Sequence, residues 1–230
     1  MMDLAFLTNT MNQLLAGVPL TLELTFISVA AGLVLATIMA VLRASFLPCA
    51  WFVQGYVFIF RGTPLLLQIF LIYYGIGQFA AVRGSIFWPF LREPYWCAIL
   101  ALTLNTAAYG SEIIRGGLQS VPAGAIEAAR VCGMSGVLLY RRIILPLAIR
   151  QALPAYSNEL IAMVKSTSLA SIVTLMEISG IAYAIISETY RALEVFLCAG
   201  SLYLLINFLL TRAIAALEWW LNPQLRRATP

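Results

Sequence analysis

Five apolar runs, each long enough to cross a lipid bilayer as a helix, constrain this 230-residue chain more than any other feature. They cover about residues 18–42, 50–74, 95–114, 148–176 and 194–217. A helical span needs about 20 consecutive apolar residues. The pattern predicts an all-α membrane protein of about five transmembrane helices, a single transmembrane domain over residues 1–230. Composition removes the alternatives. Hydrophobic residues make up 62% of the chain and charged residues 10%, with a mean hydropathy of +0.91. A soluble domain carries about 25% charged residues, so this chain cannot coat a water-facing surface, and it is too apolar to stay disordered.

Basic residues set the orientation. With the N-terminus outside, the inner side holds Arg43, Arg115, Arg130, Arg141, Arg142, Arg150, Arg212, Arg226 and Arg227. The outer side then holds only Arg83, Arg92 and Arg191, while Arg61 and Lys165 lie within apolar runs. Cytoplasmic loops carry the excess of Lys and Arg. The N-terminus is therefore expected outside, the C-terminus inside, and the polar stretch 115–146 in the cytoplasm. The basic residues form no dense run, so a pI near 9.0 reflects membrane topology and no nucleic-acid partner.

Several chemistries lack their residues. Histidine is absent and Asp3 is the only aspartate, which removes the usual catalytic and metal-ligand sets. Cys49, Cys97, Cys132 and Cys198 are scattered singly and read as buried small hydrophobes. A Walker A loop needs G-x-x-x-x-G-K-[ST]; the only lysine, Lys165, has no glycine before it back to Val137. The chain is thus expected to be no enzyme, with no catalytic residue, metal or cofactor of its own. A serine–lysine pair through Lys165 is the one formal enzymatic alternative.

The 115–146 loop carries the most specific pattern. It holds E-A-A at Glu127, Ala128 and Ala129, then Arg130, Gly133, and I-x-L-P at Ile143, Leu145 and Pro146. Pro122 can start a helix over the alanine-rich stretch that follows, and Gly133 permits a sharp turn. Two short helices joined at that glycine would form a knob able to dock into a partner's groove; the bland alternative is an ordinary helical connection. Further segments are F-R-G-T-P at residues 60–64, Y-G-S-E-I-I-R-G-G at 109–117, L-P-A-Y-S-N-E at 153–159 and K-S-T-S-L at 165–169.

Together these segments resemble the membrane subunits of ATP-binding-cassette importers of the polar amino-acid family. They are most like the histidine/lysine-arginine-ornithine and opine permeases, over about residues 15–222. Two positions depart from the family pattern. Ala125 follows Gly124 where glutamine is usual, and Ser166 stands where the family often has aspartate. The resemblance implies that Glu127, Ala128, Ala129, Arg130 and Gly133 couple the chain to separate ATPase subunits, which bind ATP and Mg. Glu127 is open to a second reading as a helix-start cap. The resemblance further implies a second permease chain, identical or related, a periplasmic amino-acid-binding protein, and residence in the bacterial inner membrane. An ion-coupled secondary transporter or channel is the alternative; it would normally show more spans or an inverted repeat.

Ionisable residues at membrane depth cost about 2.5–3.5 kcal/mol each on insertion scales and default to function. Glu23 lies near the outer end of its run, where it can reach water. Glu112 is placed three residues before Arg115, as an ion pair or a substrate contact. Glu159, with Ser157 and Asn158 beside it, follows Pro154, and proline frees a carbonyl where polar groups can line a cavity. A carboxylate there suits the guanidinium or ammonium of a cationic amino acid; a salt bridge to Arg61 or across subunits is the other reading. Lys165, Thr167 and Ser168 could take a substrate carboxylate or, for the hydroxyls, bond back to helix carbonyls. Arg61 and Thr63, with Gly62 and Pro64, mark a broken stretch of the second run, as pathway lining or as a tie between helices.

Overall fold

The computed structural model describes residues 3–45 and 47–221, and every regular element among them is helical. In chain order these are α1 (Leu4–Leu15), α2 (Val18–Ser45), α3 (Leu47–Gly62), α4 (Leu65–Phe70), α5 (Ala80–Arg83) and α6 (Trp88–Leu91). There follow α7 (Pro94–Gln119), α8 (Ala123–Val131), α9 (Gly136–Leu139), α10 (Leu145–Ser166), α11 (Ile178–Thr189) and α12 (Ala192–Leu221). Three stretches are long and apolar enough to cross a membrane alone: Leu4–Ala44, Pro94–Gln119 and Ala192–Trp220. Two bent pairs raise the number to as many as five, if each pair is one span: Leu47–Gly62 with Leu65–Gln78, turned by 106°, and Gly136–Val173 with Ile178–Thr189, turned by 48°.

The core forms around α7, which packs against α2, α3 and α10. Its buried face is built largely from small residues, with Ala98, Ala101, Ala107 and Ala108 fully enclosed. Lipid tails are as apolar as leucine, so helices in a membrane gain little by hiding leucine from them. Small residues let backbones approach and gain van der Waals contact instead. Gly117 shows the limit: a Cβ there would lie 2.8 Å from the Ala148 carbonyl oxygen and 2.8 Å from the Ala152 Cβ. Large apolar side chains stay on the outside, among them Phe26, Val34, Trp51, Phe58, Leu204 and Phe208. Threonines within α2 satisfy their hydroxyls locally, Thr25 Oγ1 donating to the Thr21 carbonyl at 2.7 Å.

Two twelve-residue helices, α1 and α11, lie outside the five apolar runs read from the sequence. Asp3 caps α1, its Oδ1 accepting from the Ala5 amide at 3.0 Å. Leu14 of α1 then packs into a cluster with Ile178 and Ala182 of α11 and Val195 and Leu202 of α12. Arg191, between α11 and α12, pairs with Glu194 at 2.5 Å and stacks on Phe6 at 3.8 Å. The helix α11 occupies what sequence patterning leaves as a connection after residue 176. Its start is fixed by Glu177, a fully buried carboxylate that accepts from the Gly180 amide at 2.9 Å and the Tyr203 hydroxyl at 2.6 Å. Cys97 and Cys198 are buried as expected, but Cys132 is exposed in the turn after α8 and Cys49 is half-buried. Arg226 and Arg227 lie outside the described residues.

Candidate functional site

Pro64 has no amide hydrogen and holds an extended backbone, with ψ at 135°, so α3 cannot run on into α4. The carbonyls left open at the end of α3 need donors, and Gln68 supplies them. Its Nε2 donates to the Phe60 carbonyl at 2.8 Å, the Thr63 carbonyl at 3.1 Å and Thr63 Oγ1 at 2.9 Å. Its Oε1 accepts from Asn105 Nδ2 of α7 at 3.0 Å. Non-helical backbone at membrane depth survives only where protein or a water-filled cavity meets its polar groups. Both conditions hold, because the break opens onto a polar cavity of about 520 Å³.

That cavity brings Arg61 and Thr63 from the break together with Glu159 of α10, and adds Asn105 and Tyr109 of α7 and Ser166. Glu159 accepts from Thr106 Oγ1 at 3.4 Å. No direct ion pair joins it to Arg61 among the described residues. Arg61 instead lays its guanidinium over the Tyr109 ring, 4.9 Å from the centroid. A carboxylate and a guanidinium thus stand on different elements around one polar space, each with capacity left for a ligand.

The other sequence candidates fall elsewhere. Ser157 points away from the cavity; its one hydroxyl hydrogen is shared between the Leu153 carbonyl at 2.8 Å and Glu218 Oε1 at 2.9 Å. Asn158 is exposed and outside the cavity lining. Thr167 is fully buried and its hydroxyl returns to the Val164 carbonyl at 2.7 Å. Lys165 and Ser168 line a different recess, facing Ser179 and Tyr203. Lys165 stands six residues after Glu159, about 240° around the helix, whereas Ser166, seven after it, returns to the Glu159 face; Ser168 follows in the 3-10 turn Thr167–Val173. Glu112 forms the expected pair with Arg115, at 2.6 Å, and a second with Arg43 of α2. Asn105, Tyr109 and Gln68 escaped the sequence reading. A polar residue amid the apolar run before Thr106 was the available signal, since polar groups inside a membrane seldom stand without a role.

The 115–146 segment folds as the two short helices joined at a glycine. Gly133 takes φ +80, the Met134 amide donates to the Ala129 carbonyl at 3.0 Å, and the Gly133 amide donates to the Arg130 carbonyl at 2.9 Å. This pair of bonds is a Schellman closure, which satisfies carbonyls the helix end leaves open. Ala129 is buried under the turn, whereas Glu127, Ala128 and Arg130 are exposed. The capping reading of Glu127 fails, because it sits beyond the first turn of α8, which carries no acidic residue.

Comparison with known proteins follows the same lines. Residues 9–222 match the family described as binding-protein-dependent transport system inner membrane component. The octopine transport system permease protein OccM of Rhizobium meliloti is 59% identical over 229 residues, covering 98% of this chain and 92% of the relative. The histidine/lysine/arginine/ornithine transport system permease protein HisM of Salmonella typhimurium is 46% identical over 196 residues, covering 84% and 83%. A crystal structure of an amino acid ABC transporter with histidines superposes at a TM-score of 0.84 with 32% identity, covering 95% of this chain and 98% of that one. The helical membrane fold, the agreement along nearly the whole chain and the permease relatives lead to one conclusion: this chain belongs to the family of binding-protein-dependent transport system inner membrane components.

Proposed function

We propose that this chain is the translocation subunit of an ATP-driven importer that carries cationic amino acids or opines. The observation that carries the reading is the pairing of Glu159 and Arg61 around one polar cavity. A basic amino acid presents a carboxylate at one end and a guanidinium or ammonium at the other. Arg61 suits the first and Glu159 the second, through charge-assisted hydrogen bonds. The names of the relatives, octopine in one case and histidine, lysine, arginine and ornithine in the other, support the same substrate class.

Energy comes from a partner, since this sequence holds no Walker A loop. The exposed Glu127, Ala128 and Arg130 on the α8–α9 knob are the surface offered to an ABC ATPase, which binds ATP and Mg. In this reading the knob faces the cytoplasm and the N-terminus faces outward. A second permease chain completes the path, and a periplasmic binding protein delivers substrate. ATP-driven closure of the ATPases pulls the knobs, the helices swing, and the cavity turns from one side of the membrane to the other. The substrate is moved without chemical change.

The test is uptake of labelled octopine and arginine beside a neutral amino acid, in membrane vesicles holding the assembled importer. A hydrogen bond to a charged group is worth about 1.5–3 kcal/mol, so Glu159→Gln should lower apparent affinity for the cationic substrates by roughly 10- to 100-fold. Neutral substrates should change far less. Equal loss for both classes removes Glu159 from side-chain recognition. Purification of the chain with no ATPase attached sinks the coupling argument.

A further inference from the structure

The Glu159 cavity does not end blindly. A second groove, of about 420 Å³, lies on its α8 side and is lined by Glu112, Arg115, Ser120 and Gln151. The two spaces share Arg61 and Tyr109 and no other described residue. Their linings continue one another along both helices. Asn105, Tyr109, Glu112 and Gly116 follow at three- and four-residue spacing, so a single face of α7 runs through both spaces. Glu159, Ala155 and Ala152 do the same on α10. At 1.5 Å per residue, the α7 track is about 16 Å long.

We propose that the Arg61–Tyr109 stack is a gate within this track. It divides the outer subsite at Glu159 from an inner transit subsite at Glu112, Arg115 and Gln151 that receives the amino acid on its way out. The inference rests on the substrate path proposed above and adds a second stop to it. Arg61 and Tyr109 touch through a cation–π contact, and no ion pair locks Arg61 among the described residues. Such a contact yields when a substrate carboxylate takes the guanidinium from the ring. Beyond it, Arg43 and Arg115 both pair with the single carboxylate of Glu112, so the inner subsite keeps one positive charge in excess. A carboxylate leaving Arg61 therefore finds a second cationic station, at Arg115, which lines the inner groove.

The gate is tested without reference to substrate. Gly116 lines the inner groove, and a Cβ added there meets nothing within 4 Å. Gly116→Cys is made in a Cys49→Ser, Cys132→Ser background, in the assembled importer in membrane vesicles. A charged, membrane-impermeant thiosulfonate is then added from one side at a time. With Tyr109 intact, labelling comes from the cytoplasmic side. Tyr109→Ala should raise labelling from the outer side about two- to fivefold, the scale of an exposed guanidinium–ring contact. Tyr109→Phe, which keeps the ring, should not. Arg61→Ala removes the other half of the stack and should reproduce the rise, which covers the case in which Tyr109→Ala does not assemble. Outer labelling that is already fast with Tyr109 present, or unchanged when both halves have been removed in turn, overturns the gate. Failure of the substrate reading shows separately, as uptake insensitive to Glu159→Gln with the labelling pattern intact.

Discussion

Replacing Gln68 with leucine removes the side chain that closes the broken end of α3 while keeping its apolar contacts. Four polar contacts go with it: two carbonyls and a hydroxyl on the α3 side, and Asn105 on α7. Side-chain hydrogen bonds inside membranes average about 0.6 kcal/mol and reach about 1.7. The Nε2 amide has two hydrogens for its three acceptors, so at most three full bonds are lost, roughly 1.8 kcal/mol at the average value. The Phe60 carbonyl keeps a longer bond from Asn105, at 3.4 Å, which offsets part of the loss. The expected destabilisation is therefore about 1.5 kcal/mol, a fall of roughly 3–6 °C in Tm for a chain of this size. Gln68→Glu is the sharper probe. It keeps the shape, but an ionised carboxylate has no donor and would face two carbonyl oxygens, so it should cost more than leucine. Both are read by thermal unfolding of the purified protein in detergent, alongside uptake in vesicles. Arg61 and Thr63 sit on the segment that Gln68 holds, so uptake should fall as well. A leucine variant within about 0.5 kcal/mol of the native protein, the ordinary scatter of neutral substitutions, with full uptake would refute the reasoning. The break would then be held by Gly62 and Pro64 alone.

Two further outcomes follow from single residues. Gly133→Val forces a β-branched side chain to φ +80, costing about 1–2 kcal/mol or a rearranged turn. The permease should still reach the membrane, but co-purification of the proposed ATPase partner should be lost or reduced; undiminished co-purification and ATP-driven uptake would disconnect the turn from coupling. Glu177→Ala strands the Gly180 amide in a buried site and leaves the Tyr203 hydroxyl only Ser179, at 3.1 Å, so it should destabilise by about 1–3 kcal/mol in detergent unfolding. Adding Tyr203→Phe to that variant should cost less than Tyr203→Phe made alone, because the bond to Glu177 is already gone; equal costs in the two backgrounds would mean that Glu177 and Tyr203 are not coupled.

The lipid-crossing helices and the α8–Gly133–α9 knob were legible in the amino-acid order, because both depend on local rules. A run of apolar residues must hide its own backbone bonds in a helix, and a glycine between alanine-rich turns has little else to do. Pro64 likewise announced the break after Arg61, since a missing amide hydrogen is a property of the residue itself. The identities of the intramembrane charges also marked Glu159 and Arg61 as candidates. Which of the neighbouring polar residues join them was beyond the sequence. Ser157 and Glu159 are two positions apart and face different helices, while Lys165 and Ser168 turn to a separate recess against α11 and α12. Asn105 and Gln68 lie far apart in the chain and meet only because Gly62 and Pro64 fold α4 back beside α7. Sequence alone thus determined that the chain crosses a membrane, where its second run breaks and which charges it carries inward. Tertiary packing decided which charges share a cavity, because that depends on the rotation of each helix against its neighbours, and the small residues that set this rotation look alike in sequence wherever they fall.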